Sequence, residues 1–330
     1  MVSLLTTLIL TSAPWAGGDL PTALSAGKPV LVYVQAHWCS PCIQLAVEVL
    51  QTPDGKALAE GHTAIAVDFD SDAGQGVVGR FGVITLPTVL LLDARGKELG
   101  RVEGYTRRSA WLRSFEDARA GNRSLETLEK LYAEAPGDLD TMVTLAQALL
   151  VRKQEVRAKG YLDKAMAKGG SIGARAVRIW GRWLLRVKKE AGPGTQHFLA
   201  WALRYDGKPE ADQFRVWAAK GLAMQGKRQE ATDVLDAWIT ADPRSEKAVL
   251  YKADFMVSHH YDAREAEVAI RAALGLNMQD AWAWYLLAEV LLRQSRRAEA
   301  KAAIETAIRR DNKAAIYQGF ARQRLGMDIR

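Results

Sequence analysis

Both cysteines of this 330-residue chain lie in one run, WCSPC at residues 38–42, shortly after the apolar stretch 30–34. Two thiols separated by two residues at the start of a helix can close a small disulfide and open it again. Because the chain has no other cysteine, the pair cannot belong to a wider disulfide framework. A zinc site is the alternative, but it needs two more soft ligands. The five histidines show no zinc-finger spacing, so the pattern favours redox chemistry.

The composition is typical of a globular protein with more than one core. The length allows two or three domains, and 48% hydrophobic with 25% charged residues is ordinary. The net charge of +7 is uneven: residues 1–118 hold 9 Lys and Arg against 12 Asp and Glu, and the remainder holds 36 against 26. The basic part could face an acidic partner or a membrane. Because no aromatic–basic motif accompanies it, we interpret it as a solvated helical surface and expect no nucleic-acid partner.

The first sixteen residues are apolar and too short to span a bilayer. They resemble a secretory signal, with small residues near 13–18 after an apolar core. No Lys or Arg precedes that core, and Pro14 and Trp15 are unusual neighbours for a cleavage site. We interpret residues 1–18 as a signal peptide or an apolar N-terminal segment. A periplasmic or secreted protein is expected, with a cytoplasmic location as the alternative.

Residues 19–118 alternate strand-like and helix-like segments. Periodicity predicts strands at 30–36, 63–69, 88–93 and 98–102. It predicts helices at 39–50, 77–81 and 107–119. The turn at 94–97 contains Gly96, where a positive φ is useful. This order predicts a central sheet covered by helices.

The arrangement of motifs resembles the thioredoxin family. A strand, WCxxC and a helix come first, then Leu86-Pro87-Thr88 before a strand pair, then Gly104. Within that family, residues 27–30 and 49–72 resemble exported modules such as the C-terminal domain of the bacterial inner-membrane disulfide reductase. The resemblance implies an α/β thioredoxin-like domain at 19–118, with a central mixed sheet flanked by helices.

The chemistry implied by this resemblance is thiol–disulfide exchange. Cys39 would lie at a helix N-terminus, where unpaired N–H groups and the helix dipole favour a thiolate, the reactive form. It would attack a substrate disulfide, and Cys42 would then resolve the mixed disulfide. The redox-active disulfide would therefore be Cys39–Cys42. No metal and no cofactor are expected.

The resemblance also implies supporting residues. Trp38 would cover the dithiol and offer a flat apolar contact, with plain packing as the alternative. Pro87 occupies the family's cis-proline position, so we predict a cis Leu86–Pro87 bond. The backbone of Leu86 would pair with bound substrate.

One departure from the family concerns the proton acceptor of the second thiol. Many members have a buried Asp six residues before the first Cys and a Lys on the next strand, but Tyr33 and Ala66 occupy those places here. His37 could move the proton instead, because imidazole titrates near neutral pH. An exposed polar residue without such a role is the alternative.

Residues 124–330 are helical and repetitive. Small and large apolar residues recur after 34 positions: Ala266, Ile270 and Ala273 return as Ala300, Ile304 and Ala307. A helix–turn–helix period of 34 resembles tetratricopeptide repeats (TPRs). The resemblance implies an all-α superhelical solenoid after a linker at 119–123, with a degenerate repeat at 174–206 and a Gly-Pro-Gly turn at 192–194. The concave face of such arrays binds extended peptides or proteins.

Together these features predict a thiol–disulfide oxidoreductase that acts on protein disulfides. Pro41 between the cysteines resembles reducing members of the family, so we favour a reductase. The expected partners are proteins with disulfides, a thiol–disulfide electron-transfer partner, and a peptide or protein bound by the repeats. The alternative is a redox-linked holdase chaperone or scaffold in which protein binding by the repeats is the main activity.

Overall fold

The computed structural model describes residues 15–36, 39–122, 124–311 and 315–328. The chain divides into two compact units, Met1–Lys189 and Glu190–Arg330. The first unit contains the sheet domain and the helices that follow it, and the second contains further helices. Of the linker predicted at 119–123, Arg119 is helical and residues 120–122 form a turn, all within the first unit.

The first unit begins with an α/β domain. Its strands are β1 Ala16–Gly17, β2 Val30–Gln35, β3 Thr63–Asp68, β4 Thr88–Leu92 and β5 Glu98–Glu103. Its helices are α1 Leu20–Ser25, α2 Ser40–Leu45, α3 Pro53–Ala59, α4 Asp72–Phe81 and α5 Arg108–Arg119, and a π-helical segment Ala46–Leu50 extends α2.

The five strands form one mixed sheet in the order β1-β3-β2-β4-β5. Strands β1, β3 and β2 are parallel, whereas β4 is antiparallel to β2 and β5 to β4. The central strand β2 is an unbroken apolar run because it is buried on both faces, as is typical of a parallel strand between helical layers. The predicted mixed sheet flanked by helices is confirmed.

The register of the sheet positions the loops that matter for chemistry. Val34 near the end of β2 pairs with Thr88 at the start of β4. The chain that leaves β2 towards Cys39 and the chain that enters β4 from Pro87 therefore meet at the same edge of the sheet.

Trp15 belongs to the core of this domain. Its side chain is fully buried, and its indole Nε1 donates a hydrogen bond to the Gly55 carbonyl at 3.1 Å. The next two residues form β1, which pairs with β3. Four residues of the segment predicted as 1–18 are thus part of the folded domain, and residues 1–14 lie outside the described residues.

Helical pairs follow the sheet in the first unit. They are α6 Leu125–Glu134, α7 Leu139–Val151, α8 Glu155–Lys168 and α9 Gly170–Arg182, which continues into a π-helical segment Trp183–Lys188. Small residues allow close approach of these helices: Ala146 and Ala158 are fully buried between α7 and α8.

The second unit consists of helices in its described ranges. They are α10 Ala191–Arg204, α11 Pro209–Met224, α12 Arg228–Ala241, α13 Glu246–Ser258, α14 Ala263–Leu276, α15 Ala281–Arg293, α16 Arg297–Arg310 and α17 Ala315–Leu325. The repeated alanines Ala266 and Ala300 are fully buried at equivalent places in α14 and α16. The predicted all-α repeat region is confirmed.

One local prediction is wrong. The Gly-Pro-Gly run at 192–194 is not a turn but lies in the first turn of α10. Proline is tolerated there because the N–H groups of a helix's first residues have no partner within the helix.

Among the helices of the described residues, none combines the length and the apolar composition needed to cross a bilayer.

We predict that Trp15→Ala lowers the free energy of unfolding by about 3–5 kcal/mol, because it removes a fully buried aromatic ring and leaves a cavity. Urea unfolding followed by circular dichroism measures the change. Val156→Ala on α8, where the side chain is 88% exposed, is the control and should stay within about 0.5 kcal/mol of the unsubstituted protein. Equal stability of the two variants would contradict the placement of Trp15 in the core.

Candidate functional site

Cys39 is the N-cap of α2, so its side chain lies at the N–H groups of the first helical turn. Its backbone is extended, and the N–H of Cys42 donates both to the Cys39 Sγ at 3.2 Å and to the Cys39 carbonyl at 2.9 Å. Pro41 lies in the first turn, where the missing N–H removes no intrahelical bond. A negative charge on this sulfur would be stabilised by the donors and by the dipole of the helix.

The two cysteines are joined in a disulfide across this turn. Their Cα atoms are 5.2 Å apart. Cys42 is completely buried, whereas Cys39 keeps 6% of its surface exposed. An incoming sulfur therefore reaches Cys39 before Cys42.

Tyr33 on β2 lies beneath the disulfide. Its hydroxyl donates a hydrogen bond to the Cys42 carbonyl at 2.7 Å, and its side chain is 2% exposed. Burial raises the pKa of the Tyr33 phenol above its ordinary value, so the hydroxyl stays protonated. Tyr33 pairs in register with Ala66 on β3, which is the position where many members of the family have a Lys. The group beneath the second cysteine is therefore a neutral donor.

The loop before β4 forms the other side of the site. The Leu86–Pro87 peptide bond is cis, as the sequence predicts. Pro87 is buried and its carbonyl accepts the N–H of Gly104 at 2.7 Å, while Leu86 is half-buried. Thr88 at the start of β4 is fully buried, and its hydroxyl donates to the Thr85 carbonyl at 2.8 Å. We call residues 82–87 the cis-proline loop.

A further contact ties the CxxC helix to the chain after β5. The Tyr105 hydroxyl donates a short hydrogen bond to the Glu48 carboxylate in the π-helical segment that extends α2. Burial, and then this carboxylate, raise the pKa of Tyr105. The contact links the π-helical segment Ala46–Leu50 to the residues that follow β5.

Two predicted site residues, His37 and Trp38, lie outside the described residues. Cys39, Cys42, Leu86 and Pro87 are described, and the sheet register places both pairs at one edge of the sheet. Within the described ranges, no group of three or more His, Cys, Asp or Glu side chains is arranged to hold a metal ion.

Sequence reasoning missed two arginines that contact the cis-proline loop. Arg186 donates to the Ile84 carbonyl at 2.7 Å, and Arg182 lies 3.4 Å from the Thr85 hydroxyl. Both belong to the helix that starts with α9, about a hundred residues later in the chain. Their spacing of four residues was the only available signal, and it does not indicate what they contact.

Comparisons with known proteins agree with this geometry. A model of the thioredoxin-like domain matches residues 17–119. The chain is 34% identical to a thioredoxin from Mycolicibacterium smegmatis over 97 residues, which are 29% of this chain and 82% of that protein. It is 31% identical over 91 residues to the thiol:disulfide interchange protein DsbD of Cronobacter sakazakii, covering 26% of this chain but only 16% of DsbD.

The chain also has similarity to solved structures, among them a TPR protein. The TPR protein YrrB, described as having an unusual peptide-binding site, is 18% identical with a TM-score of 0.35, covering 59% of this chain and 98% of YrrB. For the sheet domain the evidence is an identity of 34% that extends over most of a thioredoxin. On that evidence, and with its disulfide at the start of α2 beside a cis-proline, the chain belongs to the thioredoxin family.

Proposed function

We propose that this protein reduces disulfides in other proteins through Cys39 and Cys42. The observation that carries the proposal is the disulfide at the N-terminus of α2, at the sheet edge that also holds the cis-proline loop. Of its two sulfur-bearing residues, Cys39 keeps 6% of its surface exposed and Cys42 none. In this arrangement Cys39 can exist as a stabilised thiolate and Cys42 can resolve the mixed disulfide. The backbone of the cis-proline loop can pair with the substrate.

The proposed reaction consumes the dithiol form. The Cys39 thiolate attacks one sulfur of a substrate disulfide, and the other substrate sulfur leaves as a thiolate that takes up a proton. Cys42 then loses its proton and attacks Cys39 Sγ, which releases the second substrate thiolate and forms the Cys39–Cys42 disulfide. Two electrons pass from the protein to the substrate, and a dithiol partner protein returns them by the same exchange.

Three further parts of the proposal rest on the sequence. Pro41 supports reduction as the direction, because it resembles reducing members of the family. The helical repeats recruit substrate or partner proteins, in keeping with the binding faces of such arrays. The apolar start of the chain directs export, which places the reaction in the periplasm or outside the cell.

We expect Cys39→Ser to abolish reduction of insulin disulfides with dithiothreitol as electron donor, because the attacking thiolate is gone. The rate should fall to that of dithiothreitol alone, while Ser109→Ala, an exposed change on α5, should keep full activity. Turbidity of the precipitating insulin chain measures both. No reduction by the unsubstituted protein, together with suppression of aggregation that survives loss of both thiols, would contradict the proposal and favour a holdase.

Replacing the resolving thiol should trap substrates. In Cys42→Ala the mixed disulfide with Cys39 has no internal nucleophile, so covalent complexes should accumulate and disappear on reduction. Non-reducing gels and mass spectrometry of the complexes check this. The double variant Cys39→Ser/Cys42→Ala has no cysteine and is the matched control, which should form none. An absence of complexes in Cys42→Ala with a disulfide-bonded substrate would contradict attack by Cys39.

Two substitutions distinguish the groups that could move the proton of Cys42. We propose that neutral His37 accepts it, so turnover should fall as the pH drops below neutrality and the imidazole takes up a proton, and His37→Ala should remove that dependence. Tyr33→Phe should leave the pH profile unchanged between pH 6 and 9, because burial keeps the phenol protonated. It should cost about 1 kcal/mol of stability through the lost hydrogen bond.

Initial rates of mixed-disulfide formation and of turnover across this pH range provide the measurement. An unchanged profile in His37→Ala would remove the histidine from the mechanism. A changed profile in Tyr33→Phe would show that the phenol, despite its raised pKa, takes part in proton transfer.

A further inference from the structure

Four arginines lie on one face of the helix that begins with α9. Arg175, Arg178, Arg182 and Arg186 follow one another at spacings of three, four and four residues, and the last lies in the π-helical segment Trp183–Lys188. Such spacings keep side chains on a single stripe. We call these four residues the arginine stripe.

The stripe has two ends with different contacts. At one end, Arg175 binds the Asp140 carboxylate at 2.5 Å and the Thr144 hydroxyl at 3.0 Å, both on α7. At the other end, the guanidinium groups reach the cis-proline loop. The contacts with the candidate active site that the described residues show come from this second end.

Arg186 is held from two sides. Its Nη1 donates to the Ile84 carbonyl at 2.7 Å, and its guanidinium lies over the Phe69 ring, 5.1 Å from the centroid. Ile84 is 2% exposed. Burial, and then the charge of Arg182, lower the pKa of Arg186 to about 9, so the group is charged at neutral pH. A charged donor on a buried carbonyl is a strong, directional contact.

The neighbouring residues continue this contact along the loop. Arg182 Nη1 lies 3.4 Å from Thr85 Oγ1. Trp183, which is 3% exposed, packs against Gly82, where a Cβ would come within 2.7 Å of its ring and where φ is +59°. Three side chains from one helix thus contact three residues of the loop, Gly82, Ile84 and Thr85.

These contacts end one residue before the segment proposed to pair with substrate. Thr85 is followed by Leu86 and the cis bond to Pro87, so the placement of the Leu86 backbone depends on the residues before it. From the other side, the loop is fixed by the start of β4. The loop begins at the C-terminus of α4, where the N–H groups of Gly82 and Val83 donate to the Val78 carbonyl. The arginine contacts therefore act on the stretch between two fixed ends.

We propose that Arg186, with Arg182, is a positioning residue for the cis-proline loop, so that a helix of the repeat region sets the affinity of the redox site for its substrates. The inference rests on the proposed function. It assigns no chemical step to the arginines, because the contacts recorded for them among the described residues are with the loop and with Phe69. Their loss should weaken substrate binding without changing the dithiol itself.

The test uses the full-length protein with Arg186→Met, which keeps the stem but removes the donors and the charge. We expect KM for a disulfide-bonded protein substrate to rise about tenfold with kcat nearly unchanged, a factor that corresponds to loss of a single contact of about 1.4 kcal/mol. The equilibrium of Cys39–Cys42 with glutathione should stay as in the unsubstituted protein. Arg186→Lys keeps one donor and should recover part of the loss.

Arg175→Met is the matched control, because it removes a guanidinium from the same stripe at the end that binds α7. It should leave KM unchanged. The inference is overturned if Arg186→Met leaves KM unchanged, if Arg175→Met raises KM equally, or if the glutathione equilibrium shifts in parallel with KM. Arg182→Gln is the milder second variant if thermal unfolding shows that Arg186→Met does not fold.

Hydrogen exchange separates this inference from the proposed function. Amides of residues 83–86 should exchange faster in Arg186→Met than in the unsubstituted protein and in Arg175→Met. That result would support the positioning role even for a protein that reduces no disulfide, and unchanged exchange would overturn it. Absence of turnover in the unsubstituted protein would contradict only the proposed function.

Discussion

The chain enters α2 with a sulfur atom where most helices have a hydroxyl or a carboxylate as N-cap. The first N–H groups of a helix have no partner within it, and Cys39 Sγ accepts the one from Cys42. A cap of this kind is favourable for the fold and, once the disulfide is open, for the negative charge of a thiolate. The same hydrogen-bond donor that starts the helix therefore lowers the cost of the reactive form. The rest of the sheet domain supports this point: β2 delivers the chain to it, and β4 places the cis-proline at the same edge.

Next to this N-cap, a large neutral side chain, Tyr33, occupies a position where many members of the family have a buried Asp. Tyr33 and Ala66 pair across β2 and β3, so the large phenol is accommodated beside a methyl group. The hydroxyl reaches the Cys42 carbonyl, which also accepts the N–H of Ala46. A carboxylate in a position 2% exposed would need a partner for its charge, whereas a phenol needs one acceptor and finds it. The start of α2 is thus held by a hydrogen bond from a neutral group. A proton that leaves Cys42 must be accepted by a group other than Tyr33.

Most strands of the sheet domain and the position of the candidate site could be predicted from the sequence. The apolar runs predict β2, β3, β4 and β5, and the WCxxC motif with Leu86-Pro87 predicts the position of the site, because such features are local. The short helices α1 and α3 were missed because each has fewer than two turns of periodic pattern. The place of Trp15 in the core does not follow from the sequence, because its hydrogen-bond partner, Gly55, lies 40 residues away. The roles predicted for His37 and Trp38 stay predictions. The two arginines at the cis-proline loop could not be found from any local pattern, since a run of arginines on a helix usually faces solvent.

A half-buried arginine is a costly way to stabilise a fold, and an apolar side chain of the same volume is often equally good or better for stability alone. At the position of Arg186, however, an apolar side chain would leave the Ile84 carbonyl without its donor, at a cost of about 1–3 kcal/mol for a buried acceptor. Turning the carbonyl towards water would avoid that cost, but it would reorient the peptide plane between Ile84 and Thr85, next to the Thr85 carbonyl that the Thr88 hydroxyl binds. The arginine thus contributes most through the direction that it imposes on a short loop. Contacts from the repeat helices are then part of the redox site, even though they lie about a hundred residues from it in sequence.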